Sequence, residues 1–371
     1  MRIGICAPYD LAVAGGVNTL IRAQTNALAA RGHDVCLFGA ASGPLADGEI
    51  SLGRCLSIVI GNTQTGFGVD PRSWWTAKRL LRERKFDVLH MHEPLMPLPS
   101  WFVLWQADVP VVATFHTYRS KGHVWYPKFR TFFEGLMRRV HVRLAISEAA
   151  KRTVAEHFPG DYQIMPASID VERFTRPAPR PAPMSGDRRS VLYVGRIEPR
   201  KGVETLLRAM PAVQARVPRV QLVLVGGGPG RADVETLARE LGVRVVFAGR
   251  VNESDLPAYY QAADVFCSPA LSDESFGLTL LEAMAAGRPI VASDIAGYAE
   301  LLTPIGSARL VPPGNVELLA GEISVLLTDT SLAQAMGARG ASAAGRFDSE
   351  VIAKALERVY ELCVNKLPVK G

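Results

Sequence analysis

Hydrophobic and polar residues follow two different patterns along this chain, and segments with the two patterns alternate in a regular order. Short runs that are apolar at nearly every position are typical of strands buried on both faces of a parallel sheet, whereas apolar residues three and four apart indicate helices. Runs of the first kind lie at 2–8, 33–39, 86–94 and 110–116. A helical pattern over 17–32 ends on a glycine, which is a common helix C-cap. The first half is therefore predicted to form parallel βαβ units.

The alternation stops at 173–190, where prolines and charged residues follow one another closely, and we interpret this segment as a linker. It then restarts with strand-like runs at 190–196, 220–228, 243–251, 264–269 and 289–294. The prediction is an α/β protein with one Rossmann-like doubly wound domain at 1–172 and a second at 191–349. Ligands of such sheets bind beyond the carboxyl ends of the strands. Two sheets facing each other would place the active site in an interdomain cleft.

Composition narrows the class of protein. A chain of 371 residues exceeds what one hydrophobic core usually holds, which supports two domains. No apolar run reaches the ~18 residues that span a bilayer, and 2–8 is interpreted as a core strand rather than a signal peptide. Five cysteines without paired spacing favour a reduced, cytoplasmic protein. The formal net charge of +6 favours anionic ligands or surfaces without identifying them.

A pair of glycines, Gly15 and Gly16, lies between the first predicted strand and the first predicted helix. Glycines there let a ligand approach the backbone, and a helix N-terminus favours anions. A plain tight turn would have the same sequence, so the signal is weak alone. The pair does not form G-x-G-x-x-G, and a dinucleotide cofactor is not indicated.

Two cations follow the first strand of the second domain. Arg196 comes directly after that strand, and Lys201 lies five residues later at the start of a predicted helix. Cations at the end of a strand, beside helix amides, suit a diphosphate. The alternative is a solvated basic loop.

Two glutamates, Glu274 and Glu282, lie eight positions apart. If a helix begins at about residue 275, eight residues rise ~12 Å, which exceeds the ~5–9.5 Å between paired glycosidase carboxylates. We therefore expect them to hold two ends of one ligand. Glu274 would lie at the helix start, beside amides that can receive phosphate oxygens, those of Phe276, Gly277, Leu278 and Thr279. Glu282 would accept hydrogen bonds from a group such as a ribose; the alternative is an acid with a local partner.

Four segments of the second half, GRIEPRKG, VGGGP, FAGRV and ESFGLTLLEAMAAGRPIVAS, resemble family 4 of the retaining, nucleotide-sugar-dependent glycosyltransferases, which have the GT-B fold. The resemblance covers nearly the whole chain, and Glu274-x7-Glu282 in this context is highly specific. In the first half, MRIGICAPYDLAVAGGVNTLI, FDVLHMHEP and VVATFHT are most similar to the phosphatidylinositol mannosyltransferase branch. The resemblance also implies a final helix at 350–371 that packs back on the first domain.

The same resemblance implies a role for each candidate residue. Arg196 and Lys201 would grip the donor diphosphate, and Glu274 would contact the donor sugar. Glu282 would hold the ribose, and Val251 would meet the nucleobase through its backbone. The implied catalytic residues are His116, which would reach the transferred sugar, with Glu274, Arg196 and Lys201. The implied donor-binding residues are Gly15, Gly16, Arg196, Lys201, Val251, Glu274, Phe276, Gly277, Leu278, Thr279 and Glu282.

Metal ions are not expected at this site. No D-x-D occurs in the sequence, which fits a diphosphate held without a bridging metal. His90 and His92 fall on one face of a predicted strand and could form a metal pair. Because no third ligand is evident, we assign them to packing and to lining the cleft. No tightly bound cofactor is predicted either.

The predicted reaction is transfer of a sugar from a nucleotide sugar with retention at the anomeric carbon. The favoured donor and acceptor are GDP-mannose and a lipid such as phosphatidylinositol, at the cytoplasmic face of the membrane. The alternative within the family is a glucosyl or other hexosyl transferase that uses a UDP-sugar and a soluble or different lipid acceptor. Other classes left open are a sugar-nucleotide epimerase, a phosphorylase and a non-catalytic membrane-binding relative.

The sequence departs from that branch at two places, and both concern the acceptor more than the donor. Ala167 and Ser168 stand where the branch usually has an asparagine–glycine pair. The loop at 61–72 keeps Asn62 but has no arginine before Arg72, whereas the branch uses an arginine there for the inositol phosphate head group.

A basic and aromatic segment at 118–143 is a candidate membrane surface, because cations beside exposed aromatic side chains suit an anionic interface. The alternative is a helical segment of the first domain whose aromatic residues belong to the core. No recognised nucleic-acid motif accompanies the charges, so nucleic acid is not predicted as a partner.

Overall fold

Two compact units make up the protein. The computed structural model describes residues 1–13, 15–60 and 63–365, and the side chains of 57–65 lie outside that description. The first unit comprises Met1–Ser168 and Ser349–Gly371, and the second comprises Ile169–Asp348.

The first unit is built on an eight-stranded sheet with the order β4-β3-β2-β1-β5-β6-β7-β8. Its strands pair in parallel except for the antiparallel hairpin of β3 and β4. The strands are β1 (Arg2–Cys6), β2 (Asp34–Ala41), β3 (Ile50–Ile60), β4 (Thr63–Gly68), β5 (Val88–His92), β6 (Val111–Phe115), β7 (Val142–Ala145) and β8 (Gln163–Ile164). Its first six helices are α1 (Gly16–Ala30), α2 (Ser73–Arg84), α3 (Pro99–Gln106), α4 (Trp125–Lys128), α5 (Arg130–Met137) and α6 (Glu148–Ala155).

The second unit is a six-stranded parallel sheet with the order β11-β10-β9-β12-β13-β14. The strands are β9 (Arg189–Val194), β10 (Val220–Val225), β11 (Val245–Gly249), β12 (Val265–Ser268), β13 (Ile290–Ser293) and β14 (Ala308–Val311). The helices are α7 (Val171–Thr175), α8 (Val203–Arg216), α9 (Arg231–Glu240), α10 (Leu256–Ala262), α11 (Leu278–Ala285), α12 (Ala296–Leu302), α13 (Val316–Thr328) and α14 (Thr330–Ala344). Short 3₁₀ turns occupy Ala182–Met184, Pro199–Lys201 and Gly345–Phe347.

The final helix, α15 (Ser349–Asn365), belongs to the first unit. Its apolar face, which includes Leu356 and Tyr360, is buried in the cluster that contains Ile3 and Val88 of the central strands. At its edge, Glu357 accepts hydrogen bonds from Arg31 at 2.6 Å and lies 2.6 Å from His33 Nε2. The apolar face of α15 therefore packs on the sheet of the first unit.

The segment at 173–190 differs from the linker that the sequence suggested. Helix α7 begins at Val171, strand β9 begins at Arg189, and the side chains of Phe174 and Met184 between them are buried. The unit boundaries fall after residues 168 and 348, rather than at 172 and 349. Prolines break the secondary structure here, but two apolar side chains still pack into the second unit.

Each sheet has one point at which the strand order reverses, between β1 and β5 in the first unit and between β9 and β12 in the second. Loops that leave the carboxyl ends of such strands form ligand sites in doubly wound sheets. Among the described residues, no helix is both long and apolar enough to span a membrane.

Candidate active site

The loop after β9 carries Arg196, Arg200 and Lys201, and glycines fix its path. Gly202 ends the 3₁₀ turn at a φ of +68°, and a Cβ there would lie 1.9 Å from the carbonyl oxygen of Pro269, which follows β12. Gly226, after β10, has a φ of +125°, and a Cβ there would lie 2.0 Å from the oxygen of Gly195. Only glycine allows these close approaches. They bring the loops after three strands together at the reversal point.

Five side chains of alternating charge form a chain of ion pairs at the carboxyl ends of these strands. Arg196 Nη2 lies 2.5 Å from Glu198 Oε1, and Glu198 Oε2 lies 3.4 Å from Arg200 Nε. Arg200 also pairs with Glu274, whose Oε1 lies 2.7 Å from Lys201 Nζ. Three cations against two carboxylates leave one positive charge. Arg196 and Lys201, singled out from the sequence, therefore both lie in one network with Glu274.

The ionisation of Glu274 is controlled by its cationic neighbours. Burial alone would raise the pKa of this carboxyl, but Lys201 and Arg200 together outweigh burial and hold the pKa below its ordinary value. Glu274 is therefore an anion at neutral pH. In that state it can accept hydrogen bonds from hydroxyl groups but cannot donate a proton.

Helix α11 begins later than the sequence suggested. It starts at Leu278, after two left-handed residues, Asp273 at a φ of +58° and Gly277 at +96°. Only part of the interval between the two glutamates is therefore helical, and the ~12 Å rise expected from a continuous helix does not apply. The amides of Leu278 and Thr279 are the first of the helix, where amides lack intrahelical partners. Those of Phe276 and Gly277 precede the helix.

Glu282, inside α11, has a partner that the sequence analysis did not identify. The hydroxyl of Tyr260 on α10 donates to Glu282 Oε2 at 2.6 Å, and the Tyr260 ring is fully buried. Burial raises the pKa of Glu282 to about 7, against the opposing effects of Tyr260 and of the Arg173 charge. Glu282 therefore changes charge near neutral pH. The pKa values of Glu274 and Glu282 are therefore shifted in opposite directions, although the two residues lie in one short segment.

The remaining candidate of the second unit, Val251, lies two residues beyond β11 and is partly buried. The amide of Gly226 donates to the carbonyl of Gly249 at 2.7 Å, which ties the loops after β10 and β11 together. Val251 thus follows a strand end at the same edge as the charged network.

In the first unit, Gly15 and Gly16 open helix α1. Gly15 is the N-cap with an extended backbone, and Gly16 is the first helical residue. Both are exposed, and among the described residues nothing lies within 4 Å of a Cβ built at Gly15. The arrangement leaves room for a ligand beside the helix N-terminus.

His116 follows β6 and is held in a network of buried histidines. Its Nε2 lies 2.8 Å from His92 Nδ1. The His92 and His90 rings lie 4.2 Å apart between centroids, tilted by 30°, and His90 is hydrogen-bonded to Thr114 and Tyr360, each at 2.7 Å. Burial lowers the pKa of His116 to about 3 and that of His90 to about 3, so both are neutral at pH 7. Within the described residues, no group of three or more His, Cys, Asp or Glu side chains is placed to hold a metal ion.

The segment at 118–143 divides into exposed and buried aromatic residues. Trp125, Phe129 and Phe132, on or beside α4 and α5, are 53%, 50% and 42% exposed, and we call these three the aromatic patch. Tyr126 and Phe133 are buried in the core. Part of the segment is therefore exposed and part belongs to the core, while binding to a membrane stays a prediction. Asn62, considered for the acceptor, lies outside the described residues.

Two family models match the chain in succession, and together they define the class of this protein as a glycosyltransferase. The model "Glycosyltransferase Family 4" matches residues 14–173, and "Glycosyl transferases group 1" matches residues 177–343. The phosphatidyl-myo-inositol mannosyltransferase of Mycolicibacterium smegmatis is 34% identical over 368 residues, covering 97% of this chain and 94% of the relative. That of Mycobacterium tuberculosis is 36% identical over 377 residues, covering 97% of each. The chain belongs to glycosyltransferase family 4 and is a hexosyltransferase.

Solved structures show the same fold over the full length. Sucrose-phosphate synthase from Thermosynechococcus elongatus matches with a TM-score of 0.80 and 25% identity, covering 99% of this chain and 100% of that one. WaaG, a glycosyltransferase involved in lipopolysaccharide biosynthesis, matches with a TM-score of 0.71 and 20% identity, and both chains are covered completely. The predicted α/β fold of the GT-B class is confirmed, as is the resemblance to family 4.

Proposed function

We propose that this enzyme transfers mannose from GDP-mannose to phosphatidylinositol or a similar anionic lipid, with retention at the anomeric carbon. The observation that carries the proposal is the charged network of the second unit. Arg196 and Lys201 supply cations at the reversal point of a nucleotide-binding type of sheet, and the network has a surplus positive charge. A nucleoside diphosphate is the ligand that this arrangement suits.

The proposed step requires charge stabilisation more than proton transfer. The bond from the anomeric carbon to the diphosphate oxygen breaks, and its electron pair stays with the diphosphate. The acceptor oxygen forms the new bond on the same face, and its proton passes to the departing diphosphate oxygen. Arg196, Lys201 and the first amides of α11 would stabilise the charge that develops there.

The other residues would position the donor. Glu274, kept ionised by Arg200 and Lys201, would accept hydrogen bonds from hydroxyls of the sugar. Glu282 would accept from the ribose, and Val251 would contact the base through its backbone. His116, which is neutral, would hydrogen-bond a hydroxyl of the transferred sugar.

The choice of substrates is supported by the relatives. Two relatives that match nearly the whole chain are named phosphatidyl-myo-inositol mannosyltransferases. A relative of Mycobacterium tuberculosis that matches 48% of this chain at 36% identity is named as GDP-mannose-dependent. The aromatic patch, with Lys128 Nζ 5.7 Å from the centre of the Trp125 ring, would dock on the inner face of the cell membrane.

A donor and acceptor panel tests the proposal. GDP-mannose, GDP-glucose, UDP-glucose and UDP-N-acetylglucosamine are each supplied with vesicles that contain phosphatidylinositol, phosphatidylglycerol or only phosphatidylcholine. We expect product with GDP-mannose and phosphatidylinositol, and an α-linked product by NMR.

The other outcomes of the panel are informative. Transfer from a UDP-sugar would replace the donor. Transfer only to a soluble sugar would remove the lipid acceptor. Epimerised or phosphorolysed sugar without any acceptor would place the enzyme in another reaction class.

A further inference from the structure

His92, the last residue of β5, and Glu93, the first residue after it, both hold His116, which follows β6. His92 contacts the ring of His116, with 2.8 Å between His92 Nδ1 and His116 Nε2. Glu93 holds the backbone of the same residue, because its Oε1 accepts from the amides of His116 at 2.7 Å and Thr117 at 2.6 Å. Ring and backbone of His116 are therefore fixed from one neighbouring strand.

Glu93 has an unusual backbone for this task. It is 3% exposed and has a φ of +45°, a left-handed conformation that costs free energy in a residue other than glycine. Its amide still donates to the carbonyl of Thr114 at 2.9 Å, so the β5–β6 ladder continues to this point. Such a conformation persists where surrounding contacts require it, and the contacts here include those to Thr114, His116 and Thr117.

The hydrogen bond between His92 Nδ1 and His116 Nε2 contains one hydrogen, and either imidazole ring can be its donor. Both rings are neutral, because burial lowers the pKa of His92 well below its ordinary value and that of His116 to about 3. Either His92 donates from Nδ1 to His116, or His116 donates from Nε2 to His92. The other nitrogens, His92 Nε2 and His116 Nδ1, are buried and have no hydrogen-bond partner among the described residues.

The positions of the two residues favour one of the two arrangements, because His92 belongs to β5 and His116 lies beyond the end of β6. If His116 donates, the unpartnered Nε2 of His92 carries the hydrogen, and this ring is 0% exposed. A fully buried N–H that nothing can accept costs the desolvation of that donor in every state of the protein. If His92 donates, the Nε2 atom of His92 is a bare acceptor, and the unpartnered N–H is at Nδ1 of His116, which is buried as well. His116, however, follows the carboxyl end of β6, where doubly wound sheets bind their ligands, so a ligand bound at that end is placed to accept this hydrogen bond.

We propose that His92 is a positioning residue that donates from Nδ1 to His116 and so fixes His116 in the tautomer with its hydrogen on Nδ1. That N–H donates to a hydroxyl oxygen of the transferred sugar, which rests on the proposed function. Glu93 holds the backbone of His116, so that the ring stays in the position from which Nδ1 can donate. The sequence alone suggests only packing and cleft-lining roles for His92.

Imidazole tautomers can be measured directly. In protein labelled with ¹⁵N-histidine, two-bond ¹H–¹⁵N correlations distinguish a protonated Nδ1 from a protonated Nε2, and His116→Gln assigns the signals. We expect His116 to show a protonated Nδ1 and a bare Nε2. In His92→Phe the fixed tautomer should be lost, and kcat should fall by roughly tenfold while binding of the nucleoside diphosphate is unchanged. His92→Asn, whose amide can donate to the same atom, should restore part of both.

Matched controls separate positioning from folding. His141, at the opposite end of β6, accepts from the amide of Val111 at 3.0 Å, and His141→Gln should leave the His116 tautomer and kcat unchanged. If His92→Phe does not fold, the wild-type spectrum and His92→Asn still decide. A protonated Nε2 at His116 in the wild type, or a wild-type kcat in a folded His92→Phe, would overturn the proposal. Failure to bind any sugar nucleotide would count against the proposed function, whereas the tautomer would still be measured.

Discussion

The two units share one architecture but concentrate different chemistry at the ends of their strands. In the second unit, the reversal point holds three cations and two carboxylates in one ion-pair chain. In the first unit, the equivalent position holds neutral histidines and one buried carboxyl, Glu93, whose pKa is raised by burial. The same kind of sheet therefore supports a charged site in one unit and a hydrogen-bonding site without net cationic charge in the other.

This difference follows from which charges are paired with each other. Glu274 stays ionised because Lys201 and Arg200 offset its burial, whereas nothing comparable offsets the burial of His92 and His116. A paired, surplus-positive site attracts an anion. A neutral, buried site suits hydroxyl groups, which it can recognise by hydrogen bonds. The same fold therefore places a polar site in each unit, and the local charge balance sets which kind of ligand each site suits.

The largest effect is expected from removing the cations of the second unit. Arg196→Ala and Lys201→Ala should each weaken nucleoside diphosphate binding by about 10- to 150-fold, because hydrogen bonds to charged groups contribute about 1.5–3 kcal/mol. Calorimetry with GDP measures this directly. Arg208→Ala is the control, since Arg208 pairs with Glu204 on the exposed face of α8. Wild-type affinity for GDP in both variants would show that these two cations do not bind the diphosphate.

The aromatic patch of the first unit should give the next largest effect. Replacing Trp125 and Phe129 together by alanine should reduce binding to vesicles with phosphatidylinositol by at least about tenfold. The variant lacks the two exposed aromatic rings that would bury apolar surface in the lipid. Wild-type binding should weaken as salt rises, since the attraction to anionic lipid is screened. Sedimentation measures both.

A matched control for the patch is Leu362→Ala on α15, which removes an exposed apolar residue from another face of the same unit. A second surface, lined by Trp74 and the exposed ring of Trp105, also carries Lys78 and Arg82. If Trp105→Ala lowers vesicle binding and the patch variant does not, the membrane surface is assigned to α2 and α3.

The pH dependence of nucleotide binding should distinguish Glu282 from Glu274, because the pKa values of the two carboxyls are shifted in opposite directions. Because the pKa of Glu282 is raised to about 7, affinity for GDP should increase as pH rises through 7 and the carboxyl ionises. Tyr260→Phe removes a donor that favours the ionised form, so the midpoint should move to higher pH by about one unit.

An analogue that lacks the ribose hydroxyls provides the control for this prediction. A 2′,3′-dideoxy nucleotide should show no such midpoint and should bind Tyr260→Phe as it binds the wild type. Equal pH profiles for both nucleotides would mean that Glu282 does not contact the ribose. For the free protein the sign is opposite: the folded state binds the Glu282 proton more tightly, so this carboxyl lowers stability as pH rises from about 4.5 to about 7.

The smallest expected effect is that of a chelator. Cations from the chain itself face the proposed diphosphate position, so activity should be unchanged in excess EDTA. Transfer is measured before and after treatment, with a known Mg²⁺-dependent transferase as positive control. Complete loss that a divalent ion restores would show that side-chain cations are insufficient.

The sequence predicted the alternation of strands and helices well because buried parallel strands are continuous apolar runs. It did not predict the β3–β4 hairpin, in which polar residues and glycines interrupt the apolar pattern. The start of α11 was also misplaced. Left-handed residues at Asp273 and Gly277 delay the helix, and the backbone conformation of an aspartate is not visible in the sequence.

The candidate site was predicted only in part, for a related reason. Arg196, Lys201 and Glu274 stand out because their residue types and spacing resemble a known family. Partners that depend on three-dimensional packing do not stand out. Tyr260 lies 22 positions before Glu282, yet its hydroxyl lies 2.6 Å from that carboxylate, and no local pattern marks it. Arg200 is within the GRIEPRKG segment, but only the structure shows it between Glu198 and Glu274.

The return of α15 to the first unit has a consequence for how the chain is made. Tyr360 reaches His90 across 270 positions of sequence, so the ribosome must synthesise the whole second unit before that contact can form. At cellular rates of synthesis this interval lasts on the order of ten seconds to a minute. During it the apolar side chains of Ile3 and Val88 lack their cover. The unbroken second unit can fold first, and the nascent first unit presents an apolar surface on which chaperones can act.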